Sequence, residues 1–192
     1  MSYTTLISVA EVKQHINNPA FVILDCRAEL TDIHAGAQAF AAGHIPGAQH
    51  AEADTALSDK SPGPNGEFRG RHPLPTQQAF IETLRGWGVY PNSQVVAYDA
   101  HGGMFAARLW WMLRWVGHAQ ARVLDGGWPA WTGAGLPAET GVAAPAAAHY
   151  PPATADATQT LRRPAARQVN HPALTAGIDL PVSYRVVPLR SA

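Results

Sequence analysis

Cys26 is the only thiol nucleophile the 192 residues offer. It closes the apolar run Phe21 to Cys26 (FVILDC) and is followed by Arg27, not by a glycine-rich loop. That setting suits a small buried hydrophobe, whereas a reactive thiolate needs an electropositive, accessible one. The loop Asp99-Ala100-His101-Gly102-Gly103 is more suggestive. It stands between a run of strand formers and a strongly apolar helical stretch. Backbone N–H groups and the helix dipole at such a junction favour an anion, and a cysteine heading the loop would be a nucleophile of lowered pKa. The head position is Asp99. A carboxylate cannot carry a persulfide and would repel an anionic substrate, so Asp99 reads as a cap for the helix or its turn.

His44, His50 and His72 do not share a helix-face spacing, and there is no second cysteine, so no metal site is expected. No Gly-x-Ser-x-Gly or phosphate-loop pattern occurs. Trp110, Trp111 and Trp115 lie on the apolar helix and read as core, not as a ligand stack.

The elements that must position these residues alternate along the chain. Ser8 with Glu11 is a capping-box pattern before Val9, Val12 and Ile16, which predicts a helix over 8–17. Residues 21–26 predict a strand buried on both faces. A helix over 35–43 ends at Gly43, and His44-Ile45-Pro46-Gly47-Ala48 turns. Residues 59–75 are rich in Pro and Gly and predict a long, functional loop. Thr76 caps a helix over 77–87, then 94–98 (QVVAY) is a strand, 104–116 a helix, 122–124 a strand and 128–132 a short helix. This alternation predicts an α/β fold with a mostly parallel central sheet and helices on both faces. Ligands of such sheets sit at the carboxyl ends of the strands, here the loops after Cys26, Tyr98 and Leu124.

Composition narrows the function classes. Fourteen basic and fourteen acidic residues leave no net charge, so nothing steers the chain toward nucleic acid or a membrane surface. No segment approaches the roughly 20 apolar residues of a membrane span. One cysteine and no visible signal peptide point to a reducing compartment, with the cytoplasm as the expected location.

Several motifs together resemble a known family. Val22-Ile23-Leu24-Asp25-Cys26-Arg27, followed by Ala42-Gly43-His44-Ile45-Pro46-Gly47-Ala48, is similar to the first rhodanese signature. Val95 to Asp99, Arg108 to Leu113 and Val123-Leu124-Asp125-Gly126-Gly127-Trp128 resemble the N-terminal domain of two-domain thiosulfate/3-mercaptopyruvate sulfurtransferases. The matches run in order over about 5–138. The resemblance implies a rhodanese-like domain whose catalytic cysteine resides in a second domain, with an acidic residue, here Asp99, at the equivalent position of the first. It also implies that Asp54 and His72 reach across to that second domain and assist proton transfer around its cysteine loop. No cofactor is implied. The expected partners are a catalytic rhodanese domain, or self-association, and a small anionic sulfur donor.

The resemblance stops near residue 138. We expect a rhodanese-like domain over 1–138, an Ala/Pro-rich linker over 139–158 and a poorly ordered tail over 159–192, the last as a truncated or frame-disrupted second domain. Only 182–187 (VSYRVV) is strand-like there. The expected role is therefore the supporting, inactive N-terminal half of a sulfurtransferase. A non-catalytic module that binds a protein or an anion is the alternative. A rhodanese-related phosphatase needs a Cys–Arg anion loop, which the chain lacks.

Overall fold

A computed structural model describes residues 5–141. Its elements, in chain order, are β1 (Leu6–Ile7), α1 (Val9–His15), β2 (Phe21–Asp25), α2 (Ala35–Ala42), β3 (Gln49–His50), α3 (Gln77–Gly86), β4 (Gln94–Tyr98), α4 (Ala106–Trp115), β5 (Ala121–Leu124) and α5 (Gly127–Gly133). The strands form one sheet in the order β1-β5-β4-β2-β3, every pair parallel.

Local chemistry fixes the helix starts. The Ser8 hydroxyl accepts the Glu11 amide at 3.3 Å, and the Glu11 carboxylate accepts the Ser8 amide at 2.9 Å. This reciprocal cap satisfies donors that have no partner inside the helix. Thr76 accepts the Ala79 amide at 3.1 Å and opens α3.

The strands are apolar on consecutive residues because both faces are covered. Val22, Leu24, Val95, Ala97 and Val123 pack with Phe80, Ile81 and Leu84 of α3 and Leu109, Met112 and Leu113 of α4. Ile23, Val96, Tyr98 and Leu124 pack on the other face with Val12 of α1, Phe40 of α2 and Trp131 of α5. Trp131 is fully buried, whereas Trp110, Trp111 and Trp115 are only half-buried against the edge of the core. The core tryptophan thus lies on the short last helix.

The structure adds β1 and β3, two residues each and too short to show a period in the sequence. Both are edge strands, held by bonds such as Asp125 N–H to Ile7 C=O at 2.9 Å and Ala51 N–H to Asp25 C=O at 2.8 Å. The helix expected from 104 starts at Ala106, because Met104 and Phe105 belong to the turn before it. The expected domain end near 138 falls where Glu139 pairs with His44 through two 2.9 Å backbone bonds. The rest of the expected linker, the whole tail and the strand-like run at 182–187 lie outside the described residues.

Candidate functional site

The chain passes from β2 to β3 on one side and then returns to place β4 on the other. The loops after β2 and β4 therefore diverge at a crevice, the usual place for a ligand in a parallel sheet. Beneath the crevice a buried network ties the two strands together. Asp25 takes a bidentate bond from Arg27 (Nη2 to Oδ2 2.6 Å, Nε to Oδ1 3.0 Å) and the Tyr98 hydroxyl at 2.7 Å. Arg27 also donates to the Gly43 carbonyl at 2.6 Å and lies 4.6 Å from the centre of the Trp128 ring. The charge is paired and fully bonded, as a buried ion must be. Burial, and then the charge of Asp25, push the Tyr98 hydroxyl far above its ordinary range, so it stays a donor.

Asp99 heads the loop into α4. Its carboxylate is buried and accepts four backbone N–H groups: His101 at 2.9 Å and Gly103 at 2.9 Å on one oxygen, Phe105 at 2.7 Å and Ala106 at 2.9 Å on the other. Burial pushes this carboxyl up, but the four amides outweigh it and hold the group below the usual carboxylate range. The amides that would cradle an external anion are thus occupied from within. The Asp99 backbone is clamped too. Its carbonyl accepts the Trp128 amide at 2.8 Å. Gly127 sits so close, at φ +56°, that a Cβ there would lie 2.2 Å from the same carbonyl oxygen. Glycine is required at this contact.

Cys26 follows β2 on the opposite side of the sheet, packed in the α3/α4 core with 1% exposure. Burial, and then the charges of Asp25 and Asp99, push its thiol well above the ordinary range. It packs as a small hydrophobe, and its burial disfavours the thiolate that a nucleophile requires.

The loop between β3 and α3 brings Asp54 and His72 together across 18 residues, with Nε2 of His72 2.7 Å from Oδ1 of Asp54. Lys60 Nζ lies 2.8 Å from that same oxygen. The Lys60 bond, opposed by burial and aided by His72, holds the Asp54 carboxyl below its usual range. Arg108 of α4 secures the loop from beneath. It donates to the Leu57 carbonyl at 2.7 Å and to the His72 carbonyl at 3.0 Å. The cavity beside the pair is lined by Arg27, His50, Glu52 and Phe105 among others, and Phe105 carries one of the amides that Asp99 accepts.

Four large apolar side chains stand exposed on the loops at this end: Leu30 at 50%, Ile33 at 55%, Met104 at 57% and Phe68 at 85%. Arg71 bonds the Leu30 carbonyl.

Of the residues singled out in the sequence, Asp54 and His72 meet within this loop and Asp99 heads the loop into α4, while Lys60 and Arg108 were not singled out for a role. An arginine inside an apolar helix is a signal for Arg108. Nothing in the sequence marks Lys60, because its partner is chosen by the path of an irregular loop. Of the other two histidines weighed as ligands, His44 Nδ1 bonds the Phe40 carbonyl at 2.8 Å, and His50, which lines the same cavity as the pair, has its Nε2 3.3 Å from the Arg27 carbonyl. Among the described residues no cluster of His, Cys, Asp or Glu could hold a metal ion, and no helix is long and apolar enough to cross a membrane.

The rhodanese-like domain model matches residues 8–134. A probable 3-mercaptopyruvate sulfurtransferase of Pseudomonas aeruginosa is 41% identical over 71% of this chain, which covers 47% of that protein. A putative thiosulfate sulfurtransferase of Mycobacterium tuberculosis is 40% identical over 73% of the chain and 48% of the relative. Among solved structures, a 3-mercaptopyruvate sulfurtransferase from Leishmania major superposes with a TM-score of 0.69 at 35% identity, over 79% of this chain and 41% of that one. The chain spans about half the length of the first two of these relatives, 47% and 48%.

Proposed function

We propose a function from the premise that the family match establishes: this chain belongs to the rhodanese-like domain family. Its homologues are sulfurtransferases of the 3-mercaptopyruvate and thiosulfate types. In this reading the chain is the supporting half of such an enzyme and is inactive alone. A second rhodanese domain supplies the cysteine. The observation that carries the reading is Asp99, whose carboxylate fills the loop where a nucleophile and a bound anion would sit.

The chemistry would run in two steps. The partner's thiolate attacks the terminal sulfur of a small anionic donor and forms an S–S bond to it, while the donor's own S–S bond (thiosulfate) or C–S bond (3-mercaptopyruvate) breaks and its electron pair leaves with sulfite or with the enolate of pyruvate. The resulting persulfide passes its outer sulfur to a thiol or cyanide acceptor and the thiolate is regenerated. This chain's part is proton management. Asp54 accepts the Nε2–H of His72, which leaves Nδ1 as the lone-pair nitrogen of the neutral ring, ready to hold or release a proton at the partner's site. The exposed Leu30, Ile33, Phe68 and Met104 supply the apolar contact by which the partner domain docks. We also assign the chain to the cytoplasm, where a single thiol stays reduced.

The test is reconstitution. Alone, the chain forms neither thiocyanate from thiosulfate and cyanide nor pyruvate from 3-mercaptopyruvate. Mixed with the C-terminal domain of the Pseudomonas aeruginosa relative, it restores mercaptopyruvate turnover, and His72→Ala or Asp54→Ala lowers that turnover by about tenfold or more. A monodisperse monomer that binds no such domain would overturn this reading in favour of a protein-binding module. Turnover by the chain alone that vanishes in Cys26→Ser would overturn both.

A further inference from the structure

We propose that Lys60 is a positioning residue of the Asp54–His72 pair, sharing one carboxylate oxygen with the imidazole and thereby setting the pH at which His72 takes up its second proton. The inference deepens the supporting-half reading and rests on it for its purpose, though not for its test.

The geometry is specific. Oδ1 of Asp54 lies 2.8 Å from Lys60 Nζ and 2.7 Å from His72 Nε2. One oxygen therefore bridges an ammonium and an imidazole. With Asp54 as its only ionic neighbour, His72 would feel an uncompensated carboxylate, which favours the imidazolium. A ring held as imidazolium has no lone pair and cannot accept a proton. The Lys60 ammonium cancels much of that field at the ring. His72 then keeps its Nε2–H on Asp54, and the lone pair of the other ring nitrogen can take a proton and give it back.

Other charges surround the pair but are engaged elsewhere. Arg27 is paired with Asp25 at 2.6 Å, Glu29 with His101 at 3.3 Å, and Glu52 accepts from Thr55 at 2.9 Å. Arg108 reaches the His72 backbone carbonyl and not its ring. Arg71 bonds the Leu30 carbonyl. Asp32 and His50 line the adjoining cavity. Among the described residues, only Lys60 and His72 form ion pairs with Asp54. Lys60 is itself half exposed, with 49% of its side chain accessible, so its influence is screened by salt.

The experiment is an NMR titration of the histidine rings in the isotopically labelled full chain, with the His72 signal identified by its loss in His72→Gln. Lys60→Met raises the His72 midpoint by about half a pH unit or more at low salt, Lys60→Arg restores the wild-type value, and ~1 M salt shrinks the difference. In an Asp54→Asn background, Lys60→Met moves the midpoint by less than half as much. A midpoint unchanged or lowered in Lys60→Met, or Lys60→Arg behaving like Lys60→Met, overturns the proposal. No catalytic domain is present in the titration. Its failure would leave the supporting-half reading standing, and a failed reconstitution would leave the titration result standing.

Discussion

Two loops at the same end of the sheet are built on opposite principles. The loop after β4 turns inward: the Asp99 carboxylate takes all four amides that point at it, and the carboxylate itself is buried. The loop between β3 and α3 turns outward. Asp54 and His72 keep 16% and 26% of their side chains accessible, and Lys60 keeps about half. One polar cluster is saturated and the other has bonding capacity to spare. Amides gathered at the head of a helix can thus be satisfied by a side chain of the same loop instead of by a bound anion.

The contrast between the two loops is largest at Asp99. Asp99→Ala leaves four amides without their acceptor, and stability should fall by about 2–4 kcal/mol in urea denaturation. Sulfate should recover part of that loss in the variant and none in the wild type, since only the variant has a vacant anion cradle. A loss below about 0.5 kcal/mol would mean that the carboxylate is not what holds the loop.

A pH series sharpens the same point. Asp99 ionises more readily folded than unfolded. Its stabilisation is complete above the ordinary carboxylate range and is lost as pH falls through the lowered folded value, because the unfolded chain binds the proton first. Wild-type stability should therefore fall below about pH 4, and Asp99→Asn should show a shallower dependence. Asp54 is also held low, but it is part-exposed and screened, so Asp54→Asn should flatten the curve far less.

Cys26 offers a smaller effect. Its thiol should resist a disulfide reagent in the native chain and react only on unfolding, and Cys26→Ala should cost about 1 kcal/mol. Rapid native labelling would contradict its burial. The smallest effect belongs to the apolar rim: Phe68→Ser and Met104→Ser should change stability by less than about 0.5 kcal/mol. Both should weaken self-association in light scattering if that face is the docking surface.

Much of the fold was legible because it follows from local rules. The Ser8 and Thr76 caps, the doubly apolar β2 and β4, and the glycines at 126 and 127 each announce their element within a few residues. The edge strands β1 and β3 were not legible, since two residues carry no period and their pairing is decided by a neighbour already in place. The nature of Asp99 was half visible. A carboxylate at a loop head excludes a thiol nucleophile, but its four amide partners could be counted only once the turn at 101–105 was folded.

The Asp54–His72 cluster divides in the same way. Asp54 and His72 were candidates by resemblance to the two-domain sulfurtransferases. Their contact, the third member Lys60 and the brace from Arg108 were not. The five helices, the three longer strands, the two-faced parallel sheet and the lack of any thiol at the loop head follow from the sequence alone, because these depend on residue types a few positions apart. Only the tertiary structure decided that Asp54, Lys60 and His72 share one oxygen. An irregular loop has no period from which its path could be read, and that path is set by Arg108 holding the carbonyls of Leu57 and His72 from a helix far away in the chain.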